Sequence, residues 1–226
     1  MTPIVTRDPR LAWMLERRCL FLFLALVALL IALPFLSEIA HGPIILTLVN
    51  ITVLLTAVAA VGRTRFSFII AVFLVVPALV FRLLALESGA PGYLALSWGF
   101  NAVFYAFILV DLLYYVLRRD LMTEDKLYGA VAAYILVAIF WASLYGVLQY
   151  FYPGAYAFGG TSKTLNMTEL IYFSFTALTT AGFGDITPVL VQSRFLTILE
   201  MVTGVMYVAI LIARLTGVYP IVEKKR

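Results

Sequence analysis

Between positions 179 and 185 the chain reads Thr179-Thr180-Ala181-Gly182-Phe183-Gly184-Asp185. The chemistry this run offers is that of its backbone. Gly182 and Gly184 can take left-handed angles that other residues resist. Alternating left- and right-handed residues turns successive carbonyls toward one side. Four such ribbons around an axis would stack rings of oxygens able to replace the water shell of a bare cation. Thr180 can add its hydroxyl as the lowest coordinating group.

Such a ribbon must be held by its flanks. Before it lies an apolar run, about 167–178, too short to cross a bilayer that needs roughly 20 residues. It reads as a re-entrant half-helix, started by Asn166 with Glu169 three residues on. Its C-terminal dipole end would put negative potential near the membrane's midpoint, where a cation is worst solvated. A membrane-length helix follows the ribbon, at about 190–218. The competing reading, a Gly-rich turn between two helices, accounts for none of this context.

The stretch resembles the selectivity filter of the potassium channel superfamily, usually written Thr-Val-Gly-Tyr-Gly-Asp. The likeness runs through Arg194, Glu200 and Gly204 and covers about residues 125–218. It implies a homotetramer of six-helix subunits. Potassium ions would lie at the carbonyls of Thr180, Ala181, Gly182 and Phe183, with Gly184 closing the ribbon. Two positions depart from the usual form. Ala181 stands for Val and Phe183 for Tyr; both keep their carbonyls, and Phe183 loses a hydroxyl. Asp185 and Thr179 are expected to support the filter from behind. Tyr172 is expected either to bond Asp185 or simply to pack. Gly204 corresponds to the hinge glycine of inner helices, with close helix packing as the alternative.

Composition agrees with a membrane protein. The chain has 226 residues, 64% hydrophobic and 12% charged, against about half and a quarter in soluble domains. The net charge of +4 sits at segment ends and not in one patch, so it is no nucleic-acid footprint. Cys19 excludes an intrachain disulfide and a cysteine metal site. His41 alone makes neither a metal site nor a catalytic base. No Walker loop, Rossmann fingerprint, zincin helix or nucleophile elbow is present, which argues against an enzyme. No cofactor is expected beyond the permeant ion.

Six apolar segments are long enough to span, at about 19–36, 43–61, 66–86, 93–117, 127–151 and 190–218. The fold class expected is therefore an all-α membrane protein: six transmembrane helices, one re-entrant pore helix and a filter per subunit. Arg17-Arg18 before the first segment looks like a signal start, but no cleavage site follows, so that segment is read as a retained helix. Residues 1–18 form a cytoplasmic or interfacial lead, 19–119 a four-helix voltage-sensor-like domain, 120–220 the pore domain and 221–226 a short tail. No soluble gating domain is expected after the sixth segment. Arg7, Arg10, Arg63, Arg65, Arg118, Arg119, Lys126 and Lys224 fall on one side of this topology. Both termini are thus expected in the cytoplasm and the 152–166 loop outside.

Charges inside the spans need partners. Glu200 is expected behind the filter against the fifth segment, bonded by Ser143 or Trp141, or else protonated. The fourth segment has no Lys or Arg between Tyr93 and Leu117; its one charge is Asp111. Voltage sensors need several charges there, so steep voltage sensing is not expected. Arg82, Asn50 and Asn101 reach similar depth and suggest a polar cluster, either structural glue or a ligand site. Three functions compete: a potassium-selective channel, a weakly selective cation channel, and a membrane sensor or scaffold with a vestigial pore.

Overall fold

The computed structural model describes residues 17–36, 42–61, 65–118 and 123–216. Positions 1–16, 37–41, 62–64, 119–122 and 217–226 lie outside the described residues, and with them the expectations for the N-terminal lead, His41 and the C-terminal tail. Six long helices occur where the apolar segments predict them: α1 (Arg18–Leu36), α2 (Gly42–Val61), α3 (Arg65–Ser88), α4 (Pro91–Leu117), α5 (Glu124–Phe151) and α7 (Val191–Thr216). A seventh, shorter helix, α6 (Met167–Leu178), precedes the ribbon. Five of them are long and apolar enough to cross a membrane among the described residues: α1, α3, α4, α5 and α7. In α2 the described side chains give a shorter apolar run, Asn50–Ala59. The chain is a multi-pass membrane protein.

α5 is the helix around which the others gather. Of its spanning window 67% is buried, against 17% for α3 and for α7. It packs against α4, α1, α6 and α7. Small residues permit these approaches. Gly146 faces the indole of Trp98 on α4 so closely that an added Cβ would lie 2.6 Å from the ring. Ala132, Ala133, Ala138 and Ala142 are buried along the same helix.

The start of α5 ties three helix ends together. Thr123 caps it, accepting from the Lys126 N–H at 3.4 Å. Asp125 in its first turn accepts from the Cys19 N–H of α1 at 3.0 Å and from the Tyr115 hydroxyl of α4 at 3.2 Å. A carboxylate meeting the free amides at the start of α1 satisfies groups that a helix cannot satisfy itself.

One feature departs from the all-helical expectation. The 152–166 loop contains strands β1 (Tyr156–Phe158) and β2 (Thr161–Ser162), and β3 (Ile186–Pro188) joins them after the ribbon. The order is β2-β1-β3, antiparallel throughout. Gly159 and Gly160 make the hairpin turn with φ of 55° and 83°, a conformation that favours Gly at both positions.

Replacing Gly146 by Val should push Trp98 off α5. The expected cost is about 1–3 kcal/mol, read as a lowered thermal unfolding midpoint of the purified protein in detergent.

Candidate functional site

α6 begins at a complete capping box. Asn166 Oδ1 accepts from the Glu169 N–H at 3.0 Å, and Glu169 Oε2 accepts from the Asn166 N–H at 2.9 Å. At its other end the chain does not leave freely. The Thr179 N–H donates to Phe175 O at 3.0 Å and the Thr180 N–H to Ala177 O at 2.9 Å. The Gly182 N–H reaches back to Thr176 O at 3.1 Å. These returns lay the following ribbon against the end of the helix that precedes it.

Three residues of the ribbon have positive φ: Thr180 at 58°, Gly182 at 53° and Gly184 at 81°. Ala181 and Phe183 between them do not. Sequence reasoning looked only at the glycines. For a β-branched residue such as Thr180 this conformation costs on the order of 1–3 kcal/mol and persists only where the surroundings impose it. Thr179 through Gly184 are all exposed in the single chain. The Thr180 hydroxyl donates to Thr179 O at 2.7 Å, and the Thr179 hydroxyl to Phe175 O at 2.7 Å.

Side chains brace the ribbon from α6 and the sheet. The Tyr172 ring stacks on Phe183, with centroids 6.4 Å apart and planes 9° apart. The Tyr172 hydroxyl also faces the Asp185 carboxylate. Asp185 O accepts from the Gly159 N–H at 2.8 Å, and Val189 N–H donates to Ala155 O at 2.9 Å. The pairing of β3 with β1 lies between these two bonds, so the outer end of the ribbon is sewn to the hairpin. Arg194 Nε donates to Pro188 O at 3.3 Å.

Behind the ribbon lies Glu200, fully buried on α7. Its carboxylate accepts from the Tyr145 hydroxyl of α5 and from the Ser174 hydroxyl of α6. This corrects the expected donors. Ser143 instead donates to Ile139 O on its own helix, and Trp141 offers an aromatic neighbour, its ring 6.4 Å from that of Tyr145. Ser174 Oγ also lies 2.7 Å from Ala138 O, so one hydroxyl, with a single proton to give, contacts both α5 and α7. Tyr145, Tyr156 and Phe173 pack around the pair with ring centroids 5.2–5.7 Å apart. Burial, with the Glu200 charge second, pushes the Tyr156 phenol in the outer loop far above its ordinary value. Tyr145 and Ser174 are the functional-site residues that sequence reasoning missed. The available signal was that a buried carboxylate demands donors on facing helices.

With this geometry in hand, residues 131–219 match the family described as Ion channel. The chain is also 25% identical over 171 residues to the voltage-gated potassium channel Kch of Escherichia coli (strain K12). That alignment covers 75% of this chain and 36% of the relative; the chain spans about a third of the length of the curated relative it matches. No solved structure matches. Residues 131–219 resemble ion channels, and the longer alignment is with a potassium channel. These likenesses point to a channel and not to an enzyme.

The buried face of α7 is Ser193, Thr197, Glu200 and Gly204, spaced as one stripe of a helix. Every residue on it is small or polar. At Gly204 an added Cβ would lie 2.0 Å from the Leu178 carbonyl oxygen and 2.9 Å from its carbon. α7 is one continuous helix through this point. The close-packing alternative for Gly204 therefore has a direct contact behind it, and that contact is with the last residue of α6. Leu178 O also accepts from the Tyr134 hydroxyl of α5 at 3.5 Å.

Two substitutions test this scaffold. Gly204→Ala forces α7 away from backbone, which cannot yield as a side chain can. Its unfolding midpoint should fall further than that of the neighbouring control Val205→Ala, where the side chain is exposed. Tyr145→Phe removes one donor from a buried carboxylate and should cost about 1–3 kcal/mol. Combined with Ser174→Ala it should show non-additive loss in a double-mutant cycle of unfolding free energies.

Proposed function

We propose that this chain is the subunit of a potassium-selective channel, with four copies placing their Thr180–Gly184 ribbons around one axis. The observation that carries the reading is the alternation of positive φ at Thr180, Gly182 and Gly184. It aims successive carbonyls of one ribbon to one side, as rings of coordinating oxygens require. The ribbon is exposed in the single chain, which suits a surface completed by other copies. The apolar residues exposed on α7, among them Val202, Val205, Met206 and Ile212, suit a helix that meets neighbouring subunits and lipid. Both termini would be cytoplasmic, with six spans per subunit including α2.

Potassium, the cargo, would sit at the carbonyls of Thr180, Ala181, Gly182 and Phe183. The C-terminal end of α6 would favour a cation below them. Tyr172, Thr179 and Asp185 would hold the ribbon's width, and Glu200 with Gly204 would fix α7 against α6. Steep voltage gating through α4 is not part of this reading. One charge moved through the whole field supplies about 2.3 kcal/mol per 100 mV, and between Tyr93 and Leu117 α4 offers only Asp111.

A second reading, a weakly selective cation channel, rests on Ala181 and Phe183. The Phe183 ring is braced only by stacking, since it has no hydroxyl to donate. Reversal potentials of the reconstituted protein separate the two. Selectivity predicts a shift of about 59 mV for each tenfold change in the potassium gradient, with sodium on the opposite side having little effect. A reversal near zero in opposed potassium and sodium would favour the second reading. Absence of any flux would favour a membrane sensor with a vestigial pore.

A further inference from the structure

A cavity of about 90 Å³ lies where the α1–α4 bundle meets the start of α6. Its polar lining comes from four helices: Asn50 on α2, Arg82 on α3, Ser97, Asn101 and Tyr105 on α4, and Thr168 on α6. Counting donors and acceptors shows what this lining lacks. The Tyr105 hydroxyl already donates to Asn50 Oδ1 at 3.2 Å, and the Ser97 hydroxyl to Ala78 O at 2.9 Å. Asn101 is 8% exposed, and its Oδ1 has no hydrogen-bond partner. Arg82 is half-buried, and among the described residues no carboxylate pairs with it. The nearby Glu169 carboxylate is committed to Lys163 and to the Asn166 amide.

Among the described residues, what is left over is a guanidinium with no anion bonded to it and a buried carbonyl oxygen with no donor. Water can meet the second demand but not the charge of the first. A plain carboxylate or chloride meets the charge but brings the Asn101 oxygen no proton. An oxyanion that keeps one proton meets both. Arg binds such a group through two parallel N–H bonds. The cavity holds several waters' worth of volume, enough for one tetrahedral oxyanion and too little for a sugar or a nucleotide. The N–H groups of Met167 and Thr168 lie in the first turn of α6, ahead of the capped Glu169 N–H, and such first-turn amides favour an anion.

We propose that this cavity is a binding site for a protonated phosphate group, held by Arg82 and Asn101. The group comes either from free phosphate or from the headgroup of phosphatidic acid. Because Arg82 and Asn101 belong to the bundle and Thr168 and Ile171 to α6, the bound group fastens the bundle to the helix that leads into the ribbon. The site does not depend on the conduction reading, and its test reads binding and not flux.

The test uses the full chain in neutral phosphatidylcholine vesicles. Trp98 lines the cavity and serves as a fluorescent reporter, read beside the thermal unfolding midpoint. In one arm inorganic phosphate replaces chloride at constant ionic strength. In the other, phosphatidic acid is added to the vesicles with no free phosphate. A saturable fluorescence change with a raised midpoint is expected in at least one arm, and the responding arm identifies the source. Arg82→Gln should weaken the response at least tenfold, while Arg82→Lys keeps part of it. Asn101→Asp, which puts a fixed carboxylate beside Arg82, should abolish it even if Arg82→Gln fails to fold. No saturable response in either arm, or an undiminished response in Asn101→Asp, overturns the proposal.

Discussion

A buried carboxylate with no cation bonded to it among the described residues has to be met by hydroxyls, and Glu200 is met by two. Tyr145 brings α5 and Ser174 brings α6 to the same carboxylate of α7. Removing a carboxyl group from water is expensive, and hydrogen bonds to it are what offset the cost. That demand fixes three helices at one point with directional contacts. Apolar packing alone would fix the distance between them but not their rotation or register. Once Glu200 is placed, the stripe on which it lies brings Gly204 one turn further along to the last carbonyl of α6. A side chain of any size at Gly204 would separate the two helices, so the small residue and the acidic one belong to a single constraint.

The ribbon inherits its shape from both ends of this arrangement. On one side its amides return to α6 at Thr176 and Ala177. On the other, β3 is paired to β1, and Gly159 holds the carbonyl of Asp185. Tyr172 spans the gap, with its ring on Phe183 and its hydroxyl facing Asp185. Positive φ at Thr180 is the cost of these anchors acting together. A freely hanging segment would relax such a β-branched residue toward negative φ. That the strain persists shows that the flanks over-determine the path of the chain.

The long helices were legible because hydrophobic length is a coarse property and bilayer thickness sets its scale. The half-helix was legible because Asn166 and Glu169 start it and its apolar run is short. Three things were not read. The β1–β2 hairpin has its signal in Gly159-Gly160 between Phe158 and Thr161, but two- and three-residue strands are too short for alternation to show. The donors to Glu200 depend on the rotation of α5. Ser143 and Tyr145 are two residues apart and point to different sides of a helix, and nothing in the local sequence of α5 says which side meets α7. The positive φ of Thr180 comes from tertiary anchoring, which no local propensity for Thr would suggest.

The first four helices are joined to α5 at two levels. At one end Asp125 joins the starts of α1 and α5 to Tyr115 near the end of α4. Closer to the other end, Trp98 of α4 lies on the bare backbone at Gly146. Rigid contacts at two heights along one helix resist tilting of α4 against α5, because a tilt that relieves one contact compresses the other. Motion of the bundle should therefore carry α5 with it as a body. The place where α5 meets α6 and α7 is the hydroxyl cluster at Glu200, so any such motion would reach the ribbon through those hydrogen bonds before it reached it through apolar packing. Directional bonds tolerate sliding less well than side-chain packing does, which makes that cluster a directional joint between α5 and the two helices that flank the ribbon.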